Sequence, residues 1–200
     1  MQKQITDKML DDARNYVFNI MNGKPFVDLF YHSIHHTKDV MRNVEVIGTY
    51  LGLNHDDLNI LKMSALFHDL GFLDICDGHE EKSVEYAEEY LLKENLDESI
   101  IKKITDAIKA TKVPQSPNDF LSKILCDADL MNLSSEEKYM DDIERLRKEW
   151  IFCGKEKHSK EVFYQISLDF LKSHHFHTEY GLKILKPKKD RTVKILLKKL

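Results

Sequence analysis

The stretch Ser64-Ala65-Leu66-Phe67-His68-Asp69-Leu70-Gly71-Phe72-Leu73-Asp74 decides how this chain is read. Ala65, Leu66, Phe67, Leu70 and Phe72 surround His68 and Asp69, so the segment reads as a helix buried on most sides. An unpaired buried carboxylate is strongly destabilising, so Asp69 requires a hydrogen-bonded partner or a cation. An imidazole and a carboxylate adjacent near a helix end can both turn towards one divalent ion. Taken alone, the pair fits a polar clip inside a core equally well.

Outward from this stretch the apolar spacing is helical, not alternating, and only seven glycines and four prolines interrupt it. Helices are expected at about 6–21, ended by Asn22-Gly23-Lys24-Pro25, and at about 33–51, with His36, Val40, Val44, Ile47 and Leu51 on one stripe. A third, capped by Asp56 or Asp57, runs through Leu58, Leu61, Ala65 and His68 to a stop at Gly71. Further helices are expected at about 80–93, 98–110, 119–132, from Ser134-Ser135 to about Trp150, and at about 160–174, followed by a short helix and a basic end. Pro114 and Pro117 forbid continuation of the 98–110 helix. No regular strand–helix alternation appears. The fold class expected is all-α, a single compact bundle of eight to ten helices forming one domain over residues 1–200, helices 135–200 included.

Two other segments place polar groups in apolar settings. In Tyr31-His32-Ser33-Ile34-His35-His36, His32 and His36 lie one helical turn apart, and His36 falls on the apolar stripe while His35 is rotated away from it. In Ile124-Leu125-Cys126-Asp127-Ala128-Asp129-Leu130, two carboxylates interrupt an apolar helix and again ask for a counter-charge.

Three separated helical segments that each deliver His or Asp resemble the H…HD…D signature of the HD superfamily of metal-dependent phosphohydrolases, over about residues 31–132. Gly71 after the HD pair and Gly78-His79-Glu80-Glu81-Lys82-Ser83 after the next loop agree with it. The resemblance implies metal ligands at His36, His68, Asp69 and Asp129, the last favoured over Asp127 because family members present it after an alanine, here Ala128. Asp127 would then orient a ligand or a water. It also implies a divalent ion (Mn, Fe, Co, Ni, Zn or Mg), a metal-activated water as nucleophile and a phosphate ester, nucleotide-like, as substrate. Asp69 would be both ligand and catalytic residue. Tyr31-His32…His36 is similar to the Tyr-His-Asn-x-x-His motif of cyclic-nucleotide phosphodiesterases, with Ser33 in place of Asn, and gives His32 the place beside the leaving alkoxide. In two-metal relatives a histidine near His79 binds a second metal or a phosphate. Ala110-Thr111-Lys112-Val113-Pro114-Gln115 resembles a segment of a bacterial HD subgroup and makes Lys112 a phosphate contact. It also stands where dinuclear members carry a further histidine, which counts against the second reading, an HD-type di-iron oxygenase. A third reading is a non-catalytic HD signalling or binding module, and such proteins lose ligands that this chain keeps.

A net charge of −4 gives no bulk attraction to nucleic acid or to membranes, and no run reaches the roughly 18 apolar residues of a membrane span. The charged N-terminus lacks the apolar core of a secretory signal, and three cysteines without paired spacing suit a reducing cytosol, hence a cytoplasmic protein. The basic, amphipathic stretch 186–200 is open to an acidic partner, an anionic surface or nucleic acid, although packing on its own domain is the commoner outcome. Of the remaining histidines, those of Ser173–Thr178 fit a helix end near the surface by default, with His174 the one best suited to line a pocket, whereas His55 and His158 sit among charges and read as exposed. A homo-oligomer is left open.

Overall fold

The computed structural model describes residues 4–23, 30–154 and 159–199. Lys24, Pro25, His158 and Leu200, used in the sequence reading, lie outside them. The described residues form nine α-helices and no strand: α1 Asp7–Gly23, α2 Ile34–Tyr50, α3 His55–Phe67, α4 His79–Lys93, α5 Glu98–Ala110, α6 Phe120–Asp129, α7 Glu136–Phe152, α8 Lys160–Ser173 and α9 Lys186–Lys199. Short 3-10 turns follow α3 (Leu70–Leu73) and α6 (Leu130–Ser134), and a π-helical turn, Gly181–Leu185, leads into α9. None of these helices is long and apolar enough to cross a membrane. The chain divides into two compact units, one of Met1–Val27 with His32–Asp129, the other of Asp28–Tyr31 with Leu130–Leu200.

In the first unit α3 is the central helix and packs against α1, α2, α4, α5 and α6. Its Leu61, Met63, Ala65, Leu66 and Phe67 are at most 1% exposed, which accounts for the apolar residues on every side of the quoted stretch. Each large side chain so buried contributes roughly 1.5–3 kcal/mol relative to exposure. The cap of α3 is Asn54, whose side chain accepts from Asp57 N at 2.9 Å, rather than Asp56 or Asp57. Asn59 Nδ2 donates to Ile5 O at 2.8 Å and ties the chain start to α3. On α2, Val40, Val44 and Ile47 are fully buried, as the stripe required, and His35 is exposed.

The ends of α3 and α6 differ from the sequence expectation. α3 stops at Phe67, with His68 as its C-cap, and not at Gly71. Gly71 does not act as a left-handed cap. A Cβ there would meet His79 O at 2.2 Å and Ser83 N at 2.5 Å, so the missing side chain lets the first turn of α4 close on the 70–73 turn. Ser83 Oγ accepts from Gly71 N at 2.8 Å in that contact and is itself fully buried. α6 starts where Asp119 Oδ1 accepts from Ser122 N at 3.0 Å and ends at Asp129, three residues earlier than expected, because the chain tightens into the 3-10 turn.

The second unit has its own core of Leu133, Ile143, Phe163, Leu168, Leu171, Leu185 and Leu196 among others. Ser135 caps α7 by accepting from Lys138 N, as the paired serines suggested. The basic helix α9 packs within this unit. Lys189 is 5% exposed, and its ammonium donates to the carbonyls of Leu171, at 2.9 Å, and His174, satisfying acceptors at the end of α8. His174 is buried, its ring 4.7 Å from that of Phe176.

Gly71→Ala is expected to destabilise the protein by at least about 2 kcal/mol, because backbone atoms of α4 stand where the methyl must go. Urea unfolding of the two proteins checks it, and an unchanged midpoint would contradict the close contact.

Candidate metal centre

Four side chains from three elements of the first unit converge. His36 comes from the first turn of α2, His68 and Asp69 from the residues closing α3, and Asp129 from the last residue of α6. His36 Nε2 lies 3.1 Å from Asp129 Oδ1, 3.3 Å from Asp69 Oδ2 and 3.3 Å from His68 Nε2. His68 Nε2 lies 2.9 Å from Asp69 Oδ2 and 3.7 Å from Asp129 Oδ1. His68 is completely buried, and the exposed side-chain area of the other three is 13% or less. Asn43, one of the buried polar residues of the α2 stripe, donates to Ala128 O at 2.8 Å and so joins the helix of His36 to that of Asp129.

The donor set suits a divalent cation. His68 Nδ1 is 2.9 Å from Ala65 O, which makes it the donor there and leaves Nε2 of the neutral ring as a lone pair facing the cluster. Asp69 Oδ2 is buried and has no hydrogen bond, although two imidazole nitrogens stand close to it. Donors about 2.1 Å from a common ion sit about 3 Å apart when at right angles, the scale of the separations found. Buried acceptors brought this close repel one another unless protons or a cation lie between them.

The electrostatics of the bare cluster say the same. Burial pushes the His36 imidazole down, but hydrogen bonding to Asp129 and the adjacent Asp69 outweigh it and raise it to about 9. His68 is likewise driven well above the ordinary histidine value, burial being overcome by Asp69 and Asp129. Burial raises both carboxylates, yet the imidazoles prevail, holding Asp69 well below the usual range and Asp129 at about 2. Two imidazole protons thus balance two carboxylates, a role one divalent ion fills with equal charge.

Asp69 faces a second group with its other oxygen. His79 Nε2 is 3.5 Å from Asp69 Oδ1, and ligand atoms of His32, Asp69 and His79 all lie within 4.8 Å of one another. His79 Nδ1 is 3.1 Å from Cys76 O, and its pKa is raised, burial being outweighed by Asp69 and Glu80. Glu80, which the sequence reading passed over, is buried with Oε1 3.6 Å from His79 Nε2. Phe72, which the sequence marks only as an apolar neighbour of the HD pair, carries the His32 ring stacked on it at 3.9 Å. Asp127 is fully buried but lies two positions before Asp129 on α6, and such pairs do not share a helix face. Lys112 is exposed and bound to Glu81 Oε1 at 2.5 Å, in the first turn of α4.

The HD domain family model matches residues 33–148, more than half of the chain. The chain belongs to the HD domain family. Solved structures of similar fold span nearly its whole length. A predicted HD superfamily hydrolase from an uncultured Thermotogales bacterium is 21% identical, with a TM-score of 0.61 over 94% of this chain and 90% of its own. The Lin1889 protein of Listeria innocua is 18% identical, with a TM-score of 0.64 over 96% and 93%. Bacillus subtilis YpgQ in complex with ADP is 19% identical, with a TM-score of 0.63 over 96% and 95%. No curated protein matches this HD domain.

The raised His36 pKa has a testable sign. In the metal-free HD domain its stabilisation is fully present below the unfolded value of about 6.5 and is lost as pH rises through about 9. Metal affinity should move the other way, rising over the same window as the protons leave. Thermal melts with chelator, set beside manganese titrations from pH 6.5 to 9, check both slopes, and parallel slopes would contradict the shared site.

Proposed function

We propose that this HD domain protein is a metal-dependent phosphohydrolase acting on a nucleotide-like phosphomonoester or phosphodiester. The observation that carries the reading is the convergence of His36 Nε2, His68 Nε2, Asp69 Oδ2 and Asp129 Oδ1 in a buried cluster. These four side chains would hold one divalent ion of the Mn, Fe, Co, Ni, Zn or Mg group. Bound there, it supplies Lewis acidity towards a phosphoryl oxygen and towards the attacking water. Two imidazoles and two carboxylates leave room for both reactants around an ion that takes six ligands.

The chain's own residues would do the rest. The Ala65 carbonyl fixes the ring of His68, and Asp69 presents one oxygen to each group of histidines. As the water oxygen bonds to phosphorus, the ester P–O bond breaks with its electron pair on the leaving oxygen. His32 gives that oxygen a proton, the proton released by the attacking water passes to solvent, and His32 is reprotonated from solvent before the next turnover. His79, whose raised pKa favours its charged form, supplies positive charge to a phosphate, or in neutral form a ligand to a second cation. Lys112 can exchange Glu81 for a substrate phosphate, since an exposed ion pair is worth only about 0–1 kcal/mol. A nucleotide is favoured because YpgQ, of similar fold, was solved with ADP.

The grouping of His32, Asp69 and His79 favours a second reading, a dinuclear iron oxygenase. Ala110-Thr111-Lys112 in place of a further histidine makes it the weaker of the two. Two irons per chain without hydrolysis would select it.

The primary test is hydrolysis of an aryl phosphodiester with added manganese, followed by a panel of cyclic nucleotides and nucleoside phosphates. Asp69→Ala is expected to lose both bound metal and turnover at unchanged helicity, and full metal retention would sink the assignment. His32→Ala should keep the metal but lose turnover chiefly on esters with poor leaving groups. Equal losses on activated and unactivated esters would argue against the acid role.

A further inference from the structure

We infer that Phe72 is a positioning residue that holds the His32 imidazole beside Asp69. The inference rests on the acid role proposed for His32 and adds to it a side chain with no proton of its own. His32 precedes Ser33, the N-cap of α2, so no helical backbone fixes where its ring lies. The ring stacks on Phe72, with centroids 3.9 Å apart and planes 15° from parallel, and stands edge-on to His36 at 6.2 Å. The same Phe72 ring lies 4.6 Å from that of His79 at 56°, and the two imidazoles are 5.3 Å apart. Phe72 thus forms an aromatic wall shared by both histidines of the second group.

The wall is itself held in place. Phe72 is 8% exposed and sits on the 3-10 turn that follows Asp69 directly, three residues along the chain from it. The turn is locked to α4, which begins with His79, by the Gly71 N–H bond to Ser83 Oγ and by the tight approach at Gly71. Stacking of this kind shifts an orientation equilibrium by about two- to tenfold, enough to govern proton delivery without being needed for folding.

The test compares wild type, Phe72→Leu and Phe72→Tyr as full chains. With manganese, Phe72→Leu is expected to keep its metal and to hydrolyse an activated aryl phosphodiester within about twofold of wild type. Its kcat on an alkyl ester should fall about tenfold at unchanged KM, and Phe72→Tyr, which keeps the ring, should restore it. A readout independent of turnover is the proton–carbon spectrum of zinc-loaded, histidine-labelled protein, with the His32 signals assigned through His32→Gln. Those signals should be shifted upfield by the Phe72 ring in wild type and in Phe72→Tyr, and return to ordinary positions in Phe72→Leu. Unshifted His32 signals in wild type would overturn the stack whatever the hydrolysis results. Equal loss on both ester classes, or no rescue by tyrosine, would overturn the positioning role and leave Phe72 a packing residue. Ring shifts as expected in a wild type without any hydrolysis would overturn the catalytic half and the phosphohydrolase reading with it, while the stack stood.

Discussion

The rest of the centre depends on one buried carboxylate. Asp69 presents one oxygen to His36 and His68 and the other to His79, and it is 7% exposed. A charge in that position cannot be solvated by water, so the surrounding histidines take protons or a cation takes their place. The aromatic wall at Phe72, the carbonyl beneath His68 and the brace from Asn43 all fix groups around that single charge. Protons and a metal ion compete for the same lone pairs of this cluster.

The fold delivers this arrangement by ending helices at the right places. α3 is enclosed by five other helices and ends at Phe67; His68 continues its helical dihedrals as the C-cap, and the chain leaves the helix at Asp69. α6 ends at Asp129 itself, and α4 begins at His79. Gly71 lets two of these ends meet, because any side chain there would collide with the backbone of α4.

The helices were legible in the sequence because their apolar stripes are strong: Val40, Val44 and Ile47 on α2, and the wholly apolar surroundings of His68, are buried as read. The choice of His36, His68, Asp69 and Asp129 came from the resemblance to the H…HD…D signature, since burial alone marks Asp127 as well, and the structure brings these four side chains close together. Helix ends were less legible. Asn54 rather than a following aspartate caps α3, and Gly71 serves close packing, a role that spacing alone does not distinguish from a stop signal. Glu80 looked like an ordinary acidic residue in a first helical turn, and only tertiary contact buries it beside His79. Phe72 read as core, which it is, but its contact with His32 joins residues forty positions apart, and one sequence holds no trace of that pairing. Ser83 and Asn43 did leave a signal, since each is a polar residue on an otherwise buried face.

Anomalous diffraction from crystals grown with manganese tests this centre most directly. One strong peak enclosed by His36 Nε2, His68 Nε2, Asp69 Oδ2 and Asp129 Oδ1 is expected. Metal bound elsewhere on the chain, with those four side chains still packed against one another, would contradict it.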